Sequence, residues 1–293
     1  GPVAVVDRID SDEKARNIAK RETVTTVAPE DLKAFLGDNA ERIRGIIHMG
    51  AISATTETRL VKIIKANILL SRDLWSWCTE RGVPYVYASS AATYGDGSLG
   101  FDDDNAIPAL KALRPLNMYG WSKAQFDIWV AERVAAGAPT PPGWAGLKFF
   151  NVFGPNEYHK GRMQSVARQV YEKAAKGGTC TLFKSHNPDY PDGGQSRDFV
   201  WVGDCTDMVL WLLDHPEASG IFNCGSGKAR SFHDLAVAVY RALDLAPKID
   251  FIPTPEDIRD KYQYFTEATM DRLRGGGYEK PMTELEDGVR SYV

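Results

Sequence analysis

Residues 58–90 read TRLVKIIKANILLSRDLWSWCTERGVPYVYASS. The first part, Thr58 to Arg81, repeats apolar residues at helical spacing, Gly82 supplies a helix stop, and Pro84 to Ser89 is a short apolar run rich in aromatic and β-branched residues. A helix, a glycine and then a buried strand make up one half-turn of an alternating α/β fold. The same rhythm continues on both sides. Val3 to Val6, Thr23 to Val27 and Ile43 to His48 read as strands, and Pro29 to Gly37 as a short helix with proline early and glycine at its end. A second long helix is predicted from Met118 to Ala136, and a strand over Gly146 to Phe150. This pattern predicts a doubly wound parallel sheet, in which ligands gather at the carboxyl ends of the strands.

Past Asn151 the rhythm loosens. Turn formers crowd residues 185–194, and helices from Cys205 to His215 and from Ser231 to Leu243 are separated by short strands. The expected organisation is therefore a dinucleotide-binding domain over residues 1–150 and a smaller mixed α/β substrate lobe over 151–293, some segments of which return to the first domain. The 293 residues are enough for both at about 150 residues per domain. With 35 basic and 39 acidic residues, the net charge of −4 is too mild to draw in nucleic acid or a membrane surface. No apolar run is long enough for a membrane span and no leader opens the sequence. The four cysteines, Cys78, Cys180, Cys205 and Cys224, lie far apart in apolar stretches. They read as buried thiols in a reducing compartment, with no metal site.

The chemistry concentrates at two element ends. Ser89 and Ser90 close a strand, and Tyr119 and Lys123 stand four residues apart on the first turns of the following long helix. Tyr-x-x-x-Lys alone carries little weight, because a solvated i,i+4 pair explains most such spacings. A hydroxyl at a strand end followed by this pair is more informative, since together they form a proton-transfer set. The Lys123 ammonium is expected to lower the Tyr119 phenol toward working pH, with Ser90 holding the substrate oxygen.

The stretches ASSAATYG (88–95) and NMYGWSK (117–123) resemble the extended short-chain dehydrogenase/reductase superfamily of nucleotide-sugar enzymes. HMGAISATTE (48–57), FFNVFGPNEYHKGRM (149–163), RDFVWVGD (197–204) and YQYFT (262–266) narrow the resemblance to the ADP-L-glycero-D-manno-heptose 6-epimerase family, over nearly the whole chain. That resemblance implies a Rossmann-like domain and an isomerase that inverts C6 of an ADP-heptose by transient oxidation and re-reduction with a bound nicotinamide. Tyr119 and Lys160 would handle protons on the two faces, with Ser90 and Lys123 assisting. Ser90, Asn151, His159, Lys160, Arg197 and Tyr262 would contact the substrate. For Arg197 an ion pair with Asp198 is the competing account, and for His159 a loop position without a partner.

Cofactor contacts are expected from Asp7, Arg8, Lys14, Ala51, Ser53, Asn67, Tyr119 and Lys123. An acid at a strand end suits the adenosine ribose, and the basic residues beside it favour NADP over the alternative, NAD. Ala51, Ser53 and Asn67 could instead be helix caps or loop filler. The resemblance further implies a cytoplasmic homo-oligomer, a pentamer, serving lipopolysaccharide core synthesis. The sequence departs from the family upstream. The Gly-rich loop that should follow a first strand and lie under the pyrophosphate is absent, and neither GSGKAR (225–230) nor Gly275 to Gly277 replaces it. The chain therefore reads as entered partway, a longer enzyme lacking its first strand and Gly-rich loop. Two other functions stay open: another nucleotide-sugar epimerase or reductase of the superfamily, and a non-catalytic fragment that binds nucleotide-sugar. A dehydratase is disfavoured, because residues 90–93 offer no acid beside the active-site hydroxyl.

Overall fold

The computed structural model describes residues 2–21, 24–259 and 263–293. The chain begins with β1 (Val3–Val6), α1 (Asp12–Ala19), β2 (Val24–Val27), α2 (Leu32–Asp38) and β3 (Ile46–His48). A continuous helical stretch follows, formed by α3 (Leu60–Ile63), a π-helical segment (Ile64–Leu69) and α4 (Leu70–Arg81), and it stops at left-handed Gly82. Then come β4 (Tyr85–Ser90), α5 (Ile107–Ala112), α6 (Met118–Ala135) and β5 (Trp144–Phe149). The later elements are β6 (Asn151–Phe153), α7 (Val166–Ala174), β7 (Cys180–Phe183), β8 (Ser196–Trp201), α8 (Val202–Asp214) and β9 (Gly220–Cys224). After these lie β10 (Ala229–Ser231), α9 (Phe232–Ala242), β11 (Ile249–Ile252), α10 (Glu256–Arg259), α11 (Asp271–Gly275) and α12 (Leu285–Tyr292).

The central sheet runs β3-β4-β5-β9, every neighbour parallel, so the expected doubly wound α/β fold is what forms. Alternation along β4 explains why helices cover both faces. Tyr85 and Tyr87 pack with Trp75, Cys78, Phe126 and Val130 of α4 and α6. Val86 points the other way, into a core with Met208, Val209 and Leu212 of α8. On β5, Ala145 and Leu147 join that second core, while Gly146 lies on the tyrosine side, where a Cβ would run into the Tyr87 ring. Strands β1 and β2 form a separate parallel pair that no described ladder joins to β3.

Two smaller sheets, β10-β8-β6 and β11-β7, pack with α7, α9 and α12 around a further core that includes Val170, Phe199, Leu235, Val239 and Val289. All four cysteines are buried and free. Among the described residues, no helix is long and apolar enough to cross a membrane. The sequence reading did not predict the amphipathic helix α1, capped by the Ser11 side chain, the helices α5 and α7, or the π-helical segment inside the predicted long helix.

Asp198 on β8 ties together the loop between β9 and β10 and the loop that leads to α11. It is fully buried and accepts hydrogen bonds from Ser226 N at 2.6 Å, Gly227 N at 2.9 Å, Ala268 N at 3.0 Å and the Ser226 hydroxyl at 2.7 Å. Replacing Asp198 with alanine strands three backbone donors, so we expect a loss of roughly 3–5 kcal/mol in urea unfolding. A loss below about 1 kcal/mol would show that water satisfies these groups instead.

Candidate active site

Three strand ends converge on one side of the sheet: His48 closes β3, Ser90 closes β4, and β5 runs out at Phe149. Helix α6 starts beside them. Asn117 caps it by accepting from Gly120 N at 2.8 Å, which fixes Tyr119 in the first turn and Lys123 in the second. Gly120 is obligatory for this approach, because a Cβ there would sit 2.5 Å from the Ala92 carbonyl oxygen in the turn after Ser90. The sequence-predicted set is therefore assembled, with the Ser90 hydroxyl in polar contact with the Tyr119 phenol. Ser90 Oγ also accepts from Ala92 N at 3.1 Å, which orients it.

The electrostatics of this set differ from expectation. Burial pushes the Tyr119 phenol above its ordinary value; contact with Ser90 acts in the other direction, and the charge of Asp127 adds to the rise. The expected lowering of Tyr119 by Lys123 is thus corrected, because desolvation dominates at a phenol enclosed by protein. Lys123 is only 4% exposed, so it is no solvated surface partner. Burial brings its ammonium down to about 8, against the pull of Asp127.

His48 was quoted in a motif but given no role by the sequence reading, and it belongs to this group. Its ring is buried, Nδ1 lies 2.8 Å from the Tyr85 hydroxyl, and Nε2 has no hydrogen-bond partner among the described residues. Burial, helped by the nearby Lys123 ammonium, lowers the imidazole to about 4. Asn67, in the π-helical segment, is also buried. Its side chain accepts from Ile52 N at 2.8 Å and donates to Ile52 O at 3.0 Å and to Ser122 Oγ at 3.0 Å. It thereby shapes the loop that carries Ala51 and Ser53 and fastens that loop to α6; the one-turn π insertion is what turns Asn67 inward.

At the end of β1, Lys14 Nζ lies 2.8 Å from Arg8 O, 3.4 Å from Asp7 Oδ1 and 3.2 Å from Asp10 Oδ1, while Arg8 pairs with Glu30 at 3.3 Å. The acid and the two cations expected for an adenosine ribose thus stand together. His159 and Lys160 sit on an exposed 3₁₀ turn over 158–163. His159 is not without a partner: its Nδ1 lies 3.2 Å from Asn17 Nδ2 on α1, and Asn17 also donates to Asn156 O at 3.1 Å. Lys160 is exposed and is not hydrogen-bonded to Tyr119 among the described residues, and Asn151 is an exposed residue opening β6, opposite Phe199. Arg197 does not pair with Asp198, whose carboxylate is occupied as described above. Its guanidinium donates to Ser196 O at 2.8 Å and lies 5.5 Å from the Phe232 ring centroid. Tyr262 lies outside the described residues.

The residues present fit a nicotinamide dinucleotide at both of its ends. An acid with two cations suits one ribose, and the buried His48 Nε2, which has no partner among the described residues and lies near Lys123, offers polar groups for the other end. A family model described as the NAD dependent epimerase/dehydratase family matches residues 2–225. The chain belongs to that family.

Its relatives narrow the comparison. A protein of Nitratidesulfovibrio vulgaris (strain DP4) named ADP-L-glycero-D-manno-heptose-6-epimerase is 48% identical over 293 residues, which is 99% of this chain and 88% of the relative. A Fusobacterium nucleatum protein of the same name is 45% identical over 299 residues, covering 99% and 89%. The crystal structure of the Helicobacter pylori ADP-L-glycero-D-manno-heptose-6-epimerase shares the fold. Its TM-score is 0.78 at 24% identity, over 99% of this chain and 86% of that one.

His48 gives this site a measurable signature. In the folded family member its imidazole should titrate near 4 by NMR, against 6.5 for an ordinary histidine. Because the folded pKa lies below the unfolded one, the unfolded chain alone takes up this proton as pH falls from 6.5 toward 4. Folding stability should then drop with acid over that window by up to about 3 kcal/mol from this group. A His48 that titrates near 6.5 in the folded protein refutes the assignment.

Proposed function

We propose that this chain inverts C6 of ADP-D-glycero-D-manno-heptose to give the L-glycero epimer, by transient oxidation and re-reduction with bound NADP. The observation that carries the reading is the name shared by relatives 45–48% identical over nearly the whole chain. Ser90, Tyr119 and Lys123, gathered at the strand ends, make it chemically workable. The carbinol C–H at C6 has no acidic proton, so a bound nicotinamide supplies the acceptor and donor of hydride.

The chain's own residues handle the proton and the geometry. Ser90 holds the C6 oxygen. Tyr119 takes the hydroxyl proton as the ketone forms and returns it on reduction, and Lys160 serves the second orientation of the sugar from the 3₁₀ turn. A phenol raised by burial is a sound proton donor in the reduction step, and Lys123 beside it supplies positive charge for the phenolate of the oxidation step. Lys123 would also hold the nicotinamide ribose. Asp7, Arg8 and Lys14 would hold the adenosine ribose and its 2′-phosphate, exchanging their present ion pairs for it. Asn67 acts by shaping the loop of Ala51 and Ser53. Asn151, His159, Arg197 and Tyr262 would contact the ADP-sugar, the arginine through the planar fork that suits phosphate oxygens. On this reading residues 1–150 form the cofactor domain and 151–293 mainly the substrate lobe, in a cytoplasmic homo-oligomer of lipopolysaccharide core synthesis.

Two measurements decide it. Tyr119→Phe should lower kcat/KM about 10²- to 10⁴-fold on ADP-heptose, and near-normal turnover in that variant sinks the assignment. Offered ADP-heptose and a UDP-hexose in parallel, the protein should epimerise the first alone; turnover of the UDP-hexose instead points to another epimerase of the family.

A further inference from the structure

Beneath the proton-transfer set lies a pair of charges that no part of the proposed reaction uses. Lys148 on β5 and Asp127 on α6 are each 1% exposed, and Lys148 Nζ lies 2.8 Å from Asp127 Oδ2. The carboxylate also accepts from Ser89 Oγ at 2.7 Å and from the Tyr87 hydroxyl at 3.1 Å, both on β4. Lys148 Nζ donates in addition to Thr93 Oγ1 at 2.8 Å, and Thr93 Oγ1 donates to Ser90 O at 2.8 Å. Gly146 leaves the space that the Tyr87 hydroxyl needs to reach the cluster.

Such a pair is a poor source of stability. Removing two charges from water costs several kcal/mol per ion, and well-packed apolar residues commonly do as well or better in the same volume. Its location suggests another use. Tyr119, Lys123 and Asp127 follow one another at i, i+4 and i+8, so the carboxylate lies on the same face of α6 one turn below Lys123. On its other side, the pair reaches the backbone of Ser90 through Thr93. One ionic cluster therefore touches both halves of the site.

We propose that the buried Asp127–Lys148 pair is a positioning device for the active site: it locks α6 to β4 and β5 and holds a negative charge under Lys123 that keeps it an ammonium in a dry cleft. Tyr87, Ser89 and Thr93 complete the cage that keeps this charge in place. The titratable groups around this cluster are Tyr87 from β4, Tyr94 from the turn after it, Lys148 from β5, and Tyr119 and Asp127 from α6 itself, with His48 from β3 near Lys123. The π-helical segment contributes the buried, neutral Asn67, its Lys65 being exposed, and on the α5 side the Lys111–Glu132 pair is solvent-exposed. Among the described residues Asp127 is the opposite charge acting on Lys123; burial lowers the ammonium to about 8, and Asp127 limits that fall.

The inference deepens the proposed function and rests on it for the role of Lys123. Its test does not, because it reads protonation without turnover. Trace labelling with acetic anhydride over a pH series, followed by mass spectrometry, gives the titration of each lysine in the folded chain. Lys123 should half-react near pH 8. In the paired replacement Asp127→Asn with Lys148→Met, the cage is uncharged, and Lys123 should titrate about one unit lower, a roughly tenfold loss of ammonium at fixed alkaline pH. Exposed Lys33 and Lys176 serve as unmoved references. Asp127→Glu and Lys148→Arg retain the charges and should leave Lys123 at its parent value. If the paired replacement fails to unfold cooperatively, Asp127→Asn with Lys148→Gln, which also leaves the cage uncharged, is read the same way. A Lys123 that titrates as in the parent when Asp127 is neutral overturns the proposal, as does an equal shift in the charge-retaining variants. A chain that fails to epimerise ADP-heptose but shows the Lys123 shift refutes only the proposed function.

Discussion

The site depends on how closely α6 can approach the end of β4. Gly120 meets the Ala92 carbonyl with no room for a methyl group, and below that contact Asp127 is anchored to Ser89 and Tyr87. These two fastenings, one steric and one polar, fix the helix against the strand over about two turns. Tyr119 adjoins the first and Lys123 lies between the two, so their position relative to Ser90 follows from packing that involves neither of their reactive atoms. A site held by such a scaffold loses little entropy when substrate arrives.

The same closeness explains the electrostatics. A phenol and an ammonium facing each other in water would each ionise near ordinary values. Enclosed by α6, β3 and β4, both are shifted toward their neutral forms, as is His48. Desolvation acts on all three in this way, and the nearby charges then modulate it. Asp127 opposes it at Lys123 and reinforces it at Tyr119, so one carboxylate acts on the pair in opposite senses relative to burial. Polar groups in this region are nearly all engaged; His48 Nε2 stands out as a buried donor or acceptor without a partner.

The cluster at the end of β1 is organised differently. Asp7 and Arg8 are exposed, Lys14 is half-buried, and the long ion pairs that hold them are worth little in water, so these cations can exchange partners readily. Hydrogen bonds from Asn17 to His159 and to Asn156 O connect α1 to the 3₁₀ turn over 158–163 and the loop before it. A dry, closely packed cluster at the ends of β3 and β4 and a wetter, adaptable one at the end of β1 thus stand on two separate parallel sheets.

Much of this was legible in the sequence, because local periodicity and stop signals are written in neighbouring residues. The alternation of strand and helix, the Gly82 stop, the end of β4 at Ser90 and the spacing of Tyr119 and Lys123 all follow from short-range pattern. Helix α1 was missed because its apolar face is thin and it buries no residue fully. The π insertion was missed because it leaves the apolar spacing of residues 58–81 nearly intact while rotating Asn67 inward. Asp127 at i+4 from Lys123 was visible as a spacing, but its partner Lys148 lies 21 residues on in a different element. Whether that lysine meets solvent or a carboxylate is decided by strand register. Sequence by itself thus determined the fold class and the spacing that places Tyr119 and Lys123 on one face of a helix after Ser90. Only the tertiary structure decided the direction in which their acidities shift, since burial and the partners that offset it come from residues distant along the chain.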